Sequence, residues 1–246
     1  MRPAELTPSD IAKRAAARAA VDEVQSGMRL GLGTGSTAAW FVELLGERAK
    51  RERLDLACVP TSVRTARLAE RAGLRLLTLD EAGWLDLAVD GTDEFDGELN
   101  LIKGGGGALL QEKIVATASD RMIVIADATK RVRTLGAFPL PVEIVPFAWE
   151  TTKAIVEEVL EDQDVDGRLA TLRLERDEPF MTDCGHFILD LHLKRIGEPE
   201  ELSDALNRVA GVVDSGLFLD IADTAFVGRE DDTVEAIALE DDGELG

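Results

Sequence analysis

Cysteine and histidine are scarce in this chain of 246 residues, and their spacing removes two classes of protein at once. Cys58 and Cys184 lie far apart and form no CxxC pair, which argues against a disulfide framework and against a cysteine-built zinc site. His186 and His192 stand without an HExxH pattern, so no metal site is expected. No apolar run approaches the ~20 residues that cross a bilayer. Residues 1–20, interrupted by arginine and lysine, lack the continuous core of a signal peptide, and a cytoplasmic protein is the expectation. Positive charge is in short supply too: 27 Lys and Arg face 48 Asp and Glu, a net charge of −21. Such a surface repels nucleic acid and anionic membranes, so neither is expected as a partner. It also repels a phosphorylated ligand at long range, and any anion site must therefore rely on local amides and a few cations. At high ionic strength that repulsion is screened within a few ångströms, and a halophilic source is expected.

What is present centres on KGGGGALLQEK at 103–113. Successive glycines carry no Cβ, so consecutive N–H groups can face one concavity and a ligand can approach the main chain. The apolar run over 108–118 predicts a helix that starts at this loop and adds its dipole in favour of an anion. Lys103 and Glu112 then flank a common space, the cation and carboxylate that proton transfer beside a carbonyl requires. By itself the stretch also reads as a flexible linker before an amphipathic helix.

Along the chain, Thr7-Pro8-Ser9-Asp10 reads as a capping box that opens a first helix. A buried strand over 28–33 runs into a glycine-rich turn containing Gly31, Gly33 and Gly35, followed by a helix over 38–45. The turn lacks the third glycine of a dinucleotide fingerprint and the Gly-Lys-Ser/Thr of a P-loop, so no nucleotide cofactor is expected. Thr34, Ser36 and Thr37 offer hydroxyls, either to a small polar ligand or as a helix N-cap. Further strands are predicted over 56–59, 74–77, 85–89 and 121–126, with a helix over 62–71. The fourth of the five delivers Asp90-Gly91-Thr92-Asp93-Glu94 to its carboxyl end, and the fifth ends at Asp127-Ala-Thr-Lys130. Alternating strands and helices imply an α/β fold with a doubly wound, mostly parallel, Rossmann-like sheet, whose ligands bind beyond the carboxyl strand ends. From residue 138 the order becomes βαββαβ: strands over 142–145, 169–174, 187–193 and 212–219, helices over 152–160 and 199–209. That is a ferredoxin-like α+β unit. The expected organisation is a catalytic domain of residues 1–137 and 211–233, a smaller domain of residues 138–210, and an acidic tail of residues 234–246. Fraying is expected from Arg229 onward, where eight acidic residues follow with no basic one.

Seven segments in order, GLGTGSTA at 31–38, DGTDE at 90–94, KGGGGALLQEK at 103–113, DATK at 127–130, FPLPVEIVPFA at 138–148, TDCGHFILDLH at 182–192 and GVVDSGLF at 211–218, resemble the ribose-5-phosphate isomerase, type A, family. The resemblance implies metal-free interconversion of ribose 5-phosphate and ribulose 5-phosphate, with Glu112 as general base. It implies that substrate is contacted by Thr34, Gly35, Ser36 and Thr37, by Asp90, Gly91, Thr92 and Asp93, by Lys103, Gly104, Gly105 and Gly106, and by Lys130. Lys103 would stabilise developing charge, and Asp90 or Asp93 would shuttle protons or open the sugar ring. It further implies a homo-oligomer, dimer or tetramer. Thr92, Cys184 and His186 depart from the family pattern, where alanine and asparagines are usual. Two other readings of the same pocket are a CoA-transferase-like enzyme, with Glu112 as nucleophile, and a non-catalytic sugar-phosphate-binding protein. The first leaves Lys103 and Asp90 without a purpose, and the second expects a basic DNA-binding module that the sequence lacks.

Overall fold

A computed structural model describes residues 6–239. In chain order, helix α1 (Pro8–Asp22) starts at a capping box in which Thr7 Oγ1 accepts the Asp10 N–H at 3.1 Å and the Asp10 carboxylate accepts the Thr7 N–H at 3.2 Å. Then come β1 (Arg29–Leu32), α2 (Ser36–Glu52), β2 (Ala57–Pro60), α3 (Val63–Ala72), the single turn α4 (Leu79–Ala82) and β3 (Leu87–Gly91). Two short strands, β4 (Glu94–Phe95) and β5 (Leu101–Ile102), precede α5 (Leu109–Thr117) and β6 (Met122–Asp127). The second half contains β7 (Leu140–Ile144), α6 (Trp149–Val159), β8 (Leu169–Leu172), β9 (Leu174–Glu175), β10 (Glu178–Pro179), β11 (Phe187–His192), α7 (Pro199–Asn207), β12 (Val212–Ser215), β13 (Leu217–Phe218), β14 (Thr224–Gly228) and β15 (Val234–Ala238).

The larger sheet runs β15-β14-β6-β3-β1-β2, parallel except for the edge strand β15. Its strands alternate faces: Leu87, Val89, Ile123 and Ile125 pack with α1, α2 and α3, whereas Ala88, Val124 and Ala126 pack with Val115 and Ala116 of α5. With both faces covered, polar side chains can collect only at the strand ends. The chain leaves β1 toward β2 on one side and returns to β3 on the other, so the carboxyl ends of β1 and β3 form the crevice where open α/β sheets bind ligands. The smaller sheet, β12-β7-β11-β8, is antiparallel throughout, the ferredoxin-like order, and buries Val156, Leu160, Leu202 and Leu206 from the α6 and α7 regions against one face.

Several expectations need correction. Residues 74–77 make only an isolated bridge between Leu76 and Cys58, because the Thr78 capping box turns the chain at once into α4. The strand expected over 212–219 breaks at Gly216. A Cβ there would lie 2.2 Å from the Lys103 carbonyl oxygen, and the Gly216 N–H donates to the Pro141 carbonyl at 2.7 Å. As a result β12 belongs to the smaller sheet, although residues from 211 onward had been assigned to the catalytic domain, and β13 pairs with β5. Fraying from Arg229 does not occur over 234–238. There β15 hydrogen-bonds to β14, a strand that the sequence reading missed, Ile237 packs on the core, and the half-buried Glu235 pairs with Arg131 at 3.2 Å and Arg229 at 2.8 Å. The remainder of the acidic tail, 240–246, lies outside the described residues.

Glu94 joins the two sheets. Buried at 4% exposure, its two carboxylate oxygens accept the N–H groups of Gly136 at 2.8 Å and Phe138 at 2.5 Å, where the chain leaves β6 for β7. Glu94→Ala strands the buried Gly136 N–H and the half-buried Phe138 N–H, and urea denaturation should show a loss of ~2–4 kcal/mol. An unchanged midpoint would mean that another acceptor replaces the carboxylate.

Candidate active site

The crevice between β1 and β3 is built on close backbone approach. A Cβ on Gly33 would lie 2.1 Å from Asp90 Oδ1, so only glycine lets the turn after β1 pass over the end of β3. That contact places Thr34 N–H 3.1 Å and Gly91 N–H 2.7 Å from Asp90 Oδ1. Asp90 Oδ2 in turn lies 3.0 Å from Lys103 Nζ, which donates to the Gly91 carbonyl at 2.6 Å and lies 3.4 Å from Glu112 Oε2. The side chains of Lys103, Asp90 and Glu112 are at most 5% exposed, so one ammonium serves two carboxylates away from water. Phe218 closes the floor, its ring centroid 5.4 Å from Lys103 Nζ.

A cleft of about 110 Å³ opens above this cluster. Its lining brings together Thr34, Gly35, Ser36, Thr37, Gly91, Thr92, Asp93, Lys103, Gly104, Gly106, Glu112 and Lys130, twelve of the fourteen positions singled out in the sequence. The two others do not line it. Asp90 lies beneath Lys103, and the Gly105 N–H is taken by Asp93 Oδ2 at 2.7 Å. Thr92 lines the cleft, but its hydroxyl donates to the carbonyls of Glu94 and Ile102, so the departure from alanine serves the backbone. Cys184 and His186, the other departures, also lie outside. Cys184 Sγ accepts from Gln111 at 3.4 Å, and His186 Nδ1 is 2.9 Å from Glu143 Oε1. Among the described residues no group of three His, Cys, Asp or Glu is placed to hold a metal.

Lys13 is the residue that the sequence did not reveal. It comes from α1, whose packing on β6, β14 and α2 carries it to the cleft, and no local motif marks it. At the same end of the cleft α2 begins at Gly35, with φ 125° and no side-chain cap, so neither Ser36 nor Thr37 performs the capping role considered for them. First-turn amides, the hydroxyls of Ser36 and Thr37, and the ammoniums of Lys13 and Lys130 thus meet at one end, an anion-binding arrangement. Thr34 Oγ1 supports the turn from below through Thr61 and Ser62 hydroxyls, each at 2.8 Å.

Electrostatics distinguish the two carboxylates at the other end. Burial, then the neighbouring Asp90 carboxylate, push Glu112 up to about 8, against the opposing pull of Lys103. Asp90 is also raised by burial, but it holds two backbone N–H bonds and the direct lysine contact. Lys103 is held above its usual range: burial disfavours its charge, and the carboxylates of Asp90 and Glu112 outweigh that. Glu112 Oε2 accepts no hydrogen bond among the described residues, since Lys103 is close enough for attraction but poorly aligned. The arrangement is a poised, under-solvated base beside a fixed cation and a glycine loop.

A sequence model described as Ribose 5-phosphate isomerase A (phosphoriboisomerase A) matches residues 57–232. The chain belongs to this family. It is 65% identical to a ribose-5-phosphate isomerase A of Cereibacter sphaeroides over 94% of its own length and 88% of the relative's. The solved ribose 5-phosphate isomerase A of Methanocaldococcus jannaschii superposes with a TM-score of 0.86 at 38% identity, covering 95% of this chain and 100% of that one. A D-ribose-5-phosphate isomerase solved in complex with phospho-erythronic acid gives a TM-score of 0.85 at 40% identity, covering 92% and 97%.

The raised Glu112 has a consequence for stability. Its value moves from 4.5 in the unfolded chain to about 8 in the fold, so the folded state binds the proton more tightly between those limits. The contribution of Glu112 therefore turns against folding as pH rises through that window, fully so above it. Glu112→Gln removes this dependence, and its stability relative to wild type should improve from pH 5 to about pH 8 in urea denaturation and level off above that. A difference that stays constant across that range would contradict the raised value.

Proposed function

We propose that this chain interconverts D-ribose 5-phosphate and D-ribulose 5-phosphate through an enediolate, with Glu112 moving one proton between C2 and C1. The observation that carries the proposal is Glu112 itself, raised toward neutral pH at one end of a cleft whose other end is built for an anion. Glu112 takes the C2 proton of the open-chain aldose. The freed electron pair forms the C1=C2 bond, and the carbonyl pair moves onto O1. Lys103 and the loop amides lie beside that developing charge and stabilise it more than the neutral carbonyl. The proton of the O2 hydroxyl then passes to O1, the O2–H electron pair forms the C2=O bond, and the C1=C2 pair takes the carbon proton back from Glu112 at C1, which gives the ketose with its O1 hydroxyl. Electrons balance without a redox partner, and no step requires a metal or cofactor.

The other end of the cleft suits the substrate phosphate: Lys13, Lys130, the Ser36 and Thr37 hydroxyls and the start of α2 supply charge-assisted donors. Asp93 lines the cleft and suits proton transfer to and from sugar hydroxyls during ring opening, while Asp90 beneath holds Lys103 and biases Glu112. Neither a nucleophilic role for Glu112 nor simple binding explains a carboxylate kept short of hydrogen bonds beside a lysine. The same proposal includes a cytoplasmic enzyme, function at high salt on the strength of the −21 charge, and a dimer or tetramer. Phe147, 87% exposed after β7, supports an interface on the smaller sheet's side.

Glu112→Gln keeps the size and removes the base, so turnover in a ribulose 5-phosphate assay should fall by at least ~10²-fold with the fold intact. Near-normal turnover would place the base elsewhere. Lys13→Ala and Lys130→Ala should instead act mainly on KM, raising it ~10-fold each if these cations hold the phosphate in ground and transition states alike. A KM unchanged in both variants would mean that these cations do not hold the phosphate.

A further inference from the structure

The smaller sheet reaches the glycine loop from behind. Arg173, between β8 and β9, does not line the cleft, yet its Nη1 donates to the carbonyl oxygens of Gly104 at 2.8 Å and Gly105 at 3.3 Å. Asp190 on β11 fixes the guanidinium, accepting from Nε at 2.9 Å and from Nη2 at its other oxygen. The Phe180 ring lies beside it, 5.9 Å from the guanidinium carbon, and fills the space that a Cβ on Gly107 would enter at 2.4 Å. Arg173 is thus held on three sides, and two of its contacts are loop carbonyls.

A planar trans peptide points its C=O and N–H in opposite directions. With the carbonyls of Gly104 and Gly105 drawn to Arg173, the N–H groups of Gly105 and Gly106 turn toward the cleft. The first reaches Asp93 Oδ2 at 2.7 Å. The second finds no acceptor among the described residues, and Gly106 lines the cleft. Within the loop only the Gly107 N–H, donating to the Gly104 carbonyl at 3.0 Å, holds this orientation, and the Gly105 carbonyl has Arg173 as its partner among the described residues.

We propose that Arg173 is a positioning residue for the isomerisation: it aims the Gly106 amide at the substrate oxyanion and steadies Asp93 through Gly105. The proposal rests on the isomerase reading of the cleft. It depends on the planar fork, which donates to Asp190 and to the loop together, and a lysine ammonium cannot reproduce that geometry.

The test compares wild type, Arg173→Ala, Arg173→Lys and Asp190→Asn as full chains, with kcat and KM for ribose 5-phosphate, inhibition by phospho-erythronic acid, and thermal unfolding. In Arg173→Ala, kcat should fall ~10- to 100-fold, less than the loss of a whole oxyanion donor. KM should stay within about threefold because the phosphate end is untouched. Phospho-erythronic acid, whose carboxylate stands in for the enediolate oxygens, should weaken in step with kcat, and Arg173→Lys should not restore the rate. A kcat within about twofold of wild type in the folded alanine variant, or full rescue by lysine, overturns the proposal. Should the alanine variant fail to fold, Asp190→Asn, which frees the guanidinium but keeps it, decides: a lower kcat at constant KM supports the proposal and an unchanged kcat overturns it. A wild-type chain with no isomerase activity would instead overturn the reading of the cleft.

Discussion

Two carboxylates share one buried ammonium, and much of the surrounding architecture exists to make that arrangement possible. Lys103 can be buried at 2% exposure only because Asp90, Glu112 and the Gly91 carbonyl surround its Nζ. Removing one member of such a buried group typically costs ~3–5 kcal/mol, because it leaves an uncompensated charge. Asp90 can sit at the end of β3 only because Gly33 yields space above it, and the Lys103 N–H can donate to the Gly216 carbonyl at 2.8 Å only because Gly216 carries no side chain. The glycines of this site are therefore consequences of the ion cluster as much as features of the ligand pocket.

The charge count explains the protonation state that the cluster favours. Fully ionised, it carries two negative charges against one positive, and burial penalises the excess. Asp90, with its backbone donors, keeps its charge more easily than Glu112, whose Oε2 has none. The proton therefore settles preferentially on Glu112 and leaves it a base strong enough to attack a carbon-bound proton, at the expense of being mostly protonated at neutral pH. An acidic protein surface is compatible with an anionic substrate for a related reason: the cations that matter are few, local and aimed into one cleft.

Much of this was legible in the sequence where chemistry follows the chain. Gly35 to Thr37, Asp90 to Asp93 and Lys130 follow strands of the parallel sheet, whose βαβ winding brings the carboxyl ends to one edge, and Lys103 to Gly106 sit in the glycine loop that opens α5. The residues that escaped notice reach the site across the fold. Lys13 lies on a helix whose docking on β6 and β14 cannot be inferred locally, and Arg173 approaches from a different sheet. Strand β14 and its partner β15 were hidden by the acidic composition around them. Glu94 stands in the DGTDE segment beside the candidate aspartates, yet its carboxylate is committed to the amides of Gly136 and Phe138 that join the sheets.

The measurement that most directly tests whether this cluster makes Glu112 the base is the pH dependence of kcat/KM for ribose 5-phosphate, which reports groups of the free enzyme and free substrate. A base at about 8 predicts that kcat/KM climbs with pH, nearly tenfold per unit below that point, and levels off above it. The substrate phosphate adds a separate bend near its second ionisation at about 6. A profile already level from pH 5 to 8, or one whose sole limb lies at the ordinary carboxylate value, would contradict the account.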